Sequence, residues 1–141
     1  MASLIFNSCW DDTVRGSIDF DTDTFFVMLV GSSYAEDKRA HAKRSQITAE
    51  VSGTGYTAGG QVIVPTVTKD NANDRIDIVF PQVTWPASTI SSRKAVYYKR
   101  RGGAASADEL VGVADFGADV STTNGVFTLQ ASTFRLNNSG A

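Results

Sequence analysis

Turn signals recur along this chain at short, nearly even intervals, and that rhythm restricts the fold more than any single motif. They are Gly53-Thr54-Gly55, Gly59-Gly60, Asp70 to Asp74, Pro86-Ala87-Ser88, Gly102-Gly103, Gly117 to Asp119 and Asn124-Gly125. Short β segments punctuated in this way are the pattern of an antiparallel sandwich or barrel. The segments between them are Gln61 to Lys69, Arg75 to Phe80, Thr89 to Arg101, Glu109 to Phe116 and Val126 to Leu136. Composition points the same way: Val and Ile number 21 against 5 Leu, and Ser and Thr number 28, a mixture that disfavours helix and suits strands joined by polar turns.

Individual segments sharpen this reading. Thr24 to Val30 is a continuous apolar and β-branched run, too short for an average helix, and reads as a strand buried on both faces. In Arg75 to Phe80 the residues Ile76, Ile78 and Phe80 share one face, the alternation of a half-buried antiparallel strand, and Lys69 to Asp74 is the hairpin loop before it. Pro65 cannot donate to a ladder and marks an edge or a strand break. Phe127, Leu129 and Ala131 alternate and then shift phase to Phe134 and Leu136, which predicts a β-bulge around Ser132-Thr133. One short helix is expected over Asn7 to Arg15, capped by Asn7 or Ser8, with Asp11 and Asp12 in its early turns, Phe6, Trp10 and Val14 as its apolar face, and Gly16 as its stop. The charged stretch Glu36 to Arg44 reads as a solvated loop or helical turn that interrupts the sheet.

A chain of 141 residues can bury a sufficient core without staples, and residues 1–141 are read as one β-sandwich domain with a short N-terminal arm, 1–6. The single cysteine, Cys9, excludes an intrachain disulfide and suits a reducing cytosol. The N-terminal residues have no basic region followed by a long apolar run, so no secretory signal is expected, and no apolar stretch approaches the ~20 residues of a bilayer helix. A net charge of −2 supplies no general attraction to nucleic acid or anionic lipid.

The candidate chemistry is sparse. Asp19, Asp21 and Asp23 alternate as at the start of a calcium loop, but Thr24 stands where glycine is required and Val30 where a bidentate glutamate is, so an acidic turn into the next strand is the preferred reading over a cation site. Gly53 to Gly60 is glycine-rich without the Lys-Ser/Thr ending of a phosphate loop and reads as a flexible connection. His41 is the only histidine, too few with Cys9 for a zinc site or a nucleophilic triad. No catalytic, cofactor-binding or metal residue is assigned. Arg93-Lys94 and Lys99-Arg100-Arg101 beside Tyr97-Tyr98 gather five positive charges and two aromatics in nine residues. With the acidic residues of Asp108 to Asp119 available to pair with them, a charge-complementary contact with protein is preferred over nucleic-acid stacking.

Asn7 to Val30, with Asn-Ser-Cys-Trp-Asp-Asp followed by Asp-Phe-Asp-Thr-Asp-Thr-Phe-Phe, together with Glu50 to Gly60, Val67 to Asp77, Val83 to Ile90, Ala95 to Lys99 and Asp115 to Ser121, resembles a family of small virion proteins of tailed bacteriophages. The likeness is to the capsid-cementing proteins of short-tailed phages of the Bordetella type and runs in order over nearly the whole chain. It implies a jelly-roll-like β-sandwich that sits on the outer surface of the icosahedral capsid, clamps neighbouring major capsid protein subunits and catalyses nothing. It further implies assembly in the host cytoplasm and self-association as a homodimer, with no cofactor, nucleic acid or membrane bound directly. The contact residues are inferred from chemistry and not carried over from the family: Leu4, Ile5 and Phe6 of the arm dock apolar side chains or add a strand against a neighbour, Lys99, Arg100 and Arg101 meet acidic protein surface, and Trp10 and Tyr97 supply aromatic contacts. The alternatives are a tail or fibre component, and a carbohydrate-binding sandwich in which Trp10, Trp85, Tyr56, Tyr97 and Tyr98 stack on sugars.

Overall fold

The apolar run after the acidic turn forms a strand, and its neighbours on both sides explain why it carries no polar alternation. The computed structural model describes residues 2–140. In chain order the elements are β1 (Ala2–Ile5), α1 (Asn7–Val14), β2 (Phe25–Val30), β3 (Gln61–Ile63), β4 (Thr66–Asp70), β5 (Arg75–Phe80), β6 (Val83–Ser88), β7 (Ser91–Lys99), β8 (Leu110–Ser121), β9 (Gly125–Leu129) and β10 (Ser132–Asn137). A large sheet has the order β1-β8-β7-β2-β3, and smaller sheets have the orders β10-β5-β4 and β6-β9. Every pairing between these strands is antiparallel, as expected for an all-β chain with one short helix.

Phe25, Val27 and Leu29 of β2 point into the core shared with the smaller sheets, while Met28 and Val30 point to the opposite face. That second face is covered by the connection from residue 31 to 60, which lays Tyr34, Ile47 and Ala49 against Met28, Val96 and Tyr98. Its return segment is tied alongside β2 by Gly31 N–H to the Ala49 carbonyl, 2.8 Å, and Val51 N–H to the Leu29 carbonyl, 2.9 Å. A strand covered on both faces has no need of polar residues.

The main core is centred on Phe80. Its ring lies 4.7 Å from Tyr97, 5.7 Å from Phe134 and 6.1 Å from Phe25, so one side chain joins β5 to β7, β10 and β2. Trp85 and Phe127 meet edge to face at 5.9 Å between β6 and β9. Truncating a buried phenylalanine of this kind costs about 3–5 kcal/mol.

Several expected boundaries move. The phase shift near Ala131 marks the end of a strand and not a bulge, because β9 pairs with β6 whereas β10 pairs with β5. Pro86-Ala87-Ser88 lies inside β6, where the register with β9 shifts and Ala87 takes φ 49°, and Gly117 to Asp119 is a register irregularity within β8. Pro65 does break the run, separating β3 in one sheet from β4 in another. In α1 the capping position belongs to Phe6, with no side-chain cap, and Asp11 and Asp12 fall beyond the first turn. The helix buries Cys9 and half-buries Trp10, Phe6 just before it is fully buried, and Val14 is 87% exposed, so the start of α1 and not its end meets the core.

Candidate functional site

The residues expected to form a free arm are built into the large sheet. β1 pairs with β8 from Ala2 opposite Asp115 to Ile5 opposite Gly112, and Phe6 N–H continues the ladder to the Val111 carbonyl at 3.1 Å. Phe6 is fully buried beside Met28, Tyr34 and Val96, so it belongs to the core and not to a docking arm; Leu4 and Ile5 are half-buried. The arm occupies what would otherwise be an open edge of β8, and an unpaired strand edge is a strong local template.

The basic run is neutralised within the chain. Lys99 Nζ donates to the Ser17 carbonyl at 2.6 Å and contacts Asp23 at 2.8 Å, and Arg101 binds Glu109 at 2.6 Å. Arg93 binds Asp115 at 3.0 Å, and Lys94 pairs with Glu36. Arg100 alone of residues 99–101 has no carboxylate partner among the described residues, and its guanidinium lies 4.4 Å over the Phe26 ring. Tyr97 is fully buried and its hydroxyl donates to Ser132 Oγ at 3.2 Å, which removes it from any surface. Trp85 and Tyr98 are buried too, and Tyr56 donates its hydroxyl to Glu50 at 2.7 Å, so of the aromatics suited to stacking on sugars Trp10 is the one left with an uncommitted face.

The remaining motifs serve local structure. Asp23 accepts from Asp19 N–H at 2.7 Å as well as from Lys99, and Asp19 accepts from Asp21 N–H at 2.9 Å, the geometry of a self-capped acidic turn leading into β2. Burial opposes ionisation of Asp23, but the hydrogen bonds from Lys99 and Asp19 and the Lys99 charge outweigh it and hold the carboxyl below its usual range. Among the described residues no cluster of three or more His, Cys, Asp or Glu side chains is arranged to hold a metal ion. In the glycine-rich loop the Gly59 N–H is already donated to the Glu50 carboxylate at 2.6 Å, and the Tyr98 hydroxyl donates to the Gly59 carbonyl at 2.6 Å, so the loop is tied down. His41 stacks on Tyr34 at 5.7 Å, with 2.9 Å between the Tyr34 hydroxyl and Nδ1.

Asp108 and Glu109 fasten the 31–60 connection to the sheet. Asp108, fully buried, accepts from Arg44 Nε at 2.7 Å and from Arg101 N–H at 2.9 Å, and Glu109 lies 3.5 Å from Lys43. Arg44 and Asp108 are 64 residues apart, so no local pattern signals that pair.

What remains open is the surface around Trp10. On one side a hollow of about 440 Å³ lies between β1 and β10, walled by Leu4, Ile5, Thr133 and Arg135 with Lys38 at its mouth. On the other a hollow of about 280 Å³ is walled by Phe20, Val67, Ile76 and Leu136, with Asp19 and Asp21 at its rim. Val67 and Leu136 are 40% and 44% exposed, an apolar surface at the end of the β10-β5-β4 sheet. Leu4, Ile5 and Trp10 of the sequence-derived set are thus brought together here, and Phe6, Tyr97, Lys99, Arg100 and Arg101 are not. No protein-family model, curated protein or solved structure matches this chain.

Proposed function

We propose that this protein is a non-enzymatic virion structural protein that binds the outer surface of an icosahedral capsid and cements neighbouring major capsid protein subunits. The ordered sequence resemblance carries the assignment, and the antiparallel β-sandwich is compatible with it. The structural observation that supports a binding role is the surface around Trp10, where two hollows and exposed Val67 and Leu136 adjoin strand edges while most of the charged side chains of the basic run are spent inside the chain. A shell fastener gains strength from many modest contacts repeated over the particle, so one small apolar surface per copy is sufficient. Jelly-roll connectivity and a homodimer belong to the same proposal.

The test is quantitative mass spectrometry of purified, DNA-filled particles, counting this chain per major capsid protein. Copies near one to one support the cement role, copies about a hundredfold fewer transfer the protein to a tail or fibre, and absence from particles overturns the virion reading. Val67→Lys and Leu136→Lys place charges on exposed apolar positions and should reduce particle occupancy while leaving the melting temperature nearly unchanged.

A further inference from the structure

The hollow between β1 and β10 is lined by two strand edges whose outward-turned backbone groups have no partner among the described residues. In an antiparallel strand successive residues turn their N–H and C=O to opposite sides. Phe6 N–H donates to Val111 of β8, which sets the phase: Ala2 and Leu4 also face β8, and Ser3 and Ile5 turn their backbone groups to the open side. The same reasoning applies across the hollow. Asn138 N–H donates to the Asp74 carbonyl, so Ser132, Phe134 and Leu136 face β5, and Thr133 and Arg135 turn theirs outward. Among the described residues no other hydrogen bond reaches the backbone of Ser3, Ile5, Thr133 or Arg135. Edge groups of this kind are satisfied by an added extended chain.

Charge selects the kind of chain. Lys38 at the mouth is exposed and has no carboxylate partner among the described residues, and its carbonyl accepts from Asn7 N–H at 3.0 Å, which anchors its backbone at the start of α1. Arg135 on the opposite wall is held by Asp77 at 2.6 Å and is already compensated. The mouth therefore carries one uncompensated positive charge, beside the apolar surface of Trp10, Leu4 and Ile5.

We propose that this hollow receives an extended, acid-bearing segment of another protein, which pairs with β1 as a further strand of the large sheet. That the other protein is a capsid subunit rests on the function proposed above; the strand-pairing and the acidic preference do not.

The probe is an acetylated, amidated heptapeptide, Thr-Val-Glu-Val-Thr-Val-Glu, titrated to millimolar concentration into the full chain and followed by amide NMR. Shifts should centre on Ser3, Ile5, Lys38, Thr133 and Arg135, and a backbone N-methylated version of the peptide should lose them. Ser3→Pro deletes an outward N–H without touching a β1–β8 hydrogen bond, so it should abolish binding while thermal unfolding stays close to wild type. Lys38→Glu should reverse the preference between this peptide and its Thr-Val-Lys-Val-Thr-Val-Lys counterpart by roughly fivefold, the upper end for one exposed ion pair. Absence of shifts at these amides, or binding that survives both N-methylation and Ser3→Pro, overturns the proposal. Because the titration contains no capsid, its failure leaves the particle count standing, and a failed particle count leaves the groove standing.

Discussion

Gly60 lies so close to β2 that a Cβ on it would stand 1.8 Å from the Val27 carbonyl oxygen, and its φ of +82° is in the left-handed region. Gly60→Ala should cost about 3 kcal/mol or more, since sterics and backbone strain act together. Gly102→Ala is the matched control: φ is +88° but nothing lies within 4 Å, so only the backbone cost of about 1–2 kcal/mol applies. Urea denaturation of the two variants separates the terms.

Asp12 and Asp23 should respond to substitution with opposite signs. Burial raises the Asp12 carboxyl above its usual range, with Lys43 opposing and Glu109 reinforcing, whereas the net effect on Asp23 is a lowered value. A lowered folded-state pKa contributes stability above the unfolded value of about 3.9 that is lost as pH falls through the folded one; a raised pKa contributes stability below about 3.9 that is lost as pH rises. At pH 7 Asp23→Asn should therefore destabilise by about 1–2 kcal/mol and Asp12→Asn should be neutral or stabilising. The Asp23→Asn deficit should shrink as unfolding is measured at pH values falling below about 3.9, toward the lowered folded value.

Arg44→Met should cost about 3 kcal/mol, because it strands the buried Asp108 carboxylate with Arg101 N–H as its remaining hydrogen-bond donor. Hydrogen exchange should show the loss first in the 31–60 connection that this pair fastens.

Much of this was legible locally. Thr24 to Val30 and the Ile76, Ile78, Phe80 alternation announce β2 and β5, because burial of one or both faces writes itself into consecutive residues. Pro65 announces the break before β4 by its missing N–H. The phase shift at Ala131 is visible but ambiguous: a bulge and a strand that changes sheets displace side chains alike, and only β6 and β5 as separate partners decide between them. The basic run is misleading for a related reason. Glu109 and Asp115, from the acidic stretch that follows it, do pair with Arg101 and Arg93, but within the chain and not with a partner, and Asp23 reaches Lys99 through strand order that no short window contains. The Trp10 surface is half legible, since Leu4, Ile5 and Trp10 are near in sequence while Thr133, Arg135 and Leu136 arrive from the other end of the chain.

Removing residues 2–6 should lower stability and not merely attachment, because Phe6 is fully buried and β1 is a paired strand. Phe6→Ala alone should cost about 3–5 kcal/mol. A melt of the shortened chain that matched the full one would contradict the placement of β1.

Burial pushes the Cys9 thiol up to about 12, against a hydrogen bond with Thr13 that lowers it. At pH 8 the thiol is protonated and enclosed, so iodoacetamide should leave the native protein unlabelled over hours and modify it once urea unfolds it. Mass spectrometry reads the difference directly.

The 31–60 connection, folded over the outer face of the large sheet, determines from which direction that sheet can be joined. With one face under the smaller sheets and the other under Tyr34, Ile47 and Ala49, the strand edges that the described residues leave to a neighbour are the rims of β1 and β3. A strand added at either rim would widen the sheet sideways and leave its thickness unchanged.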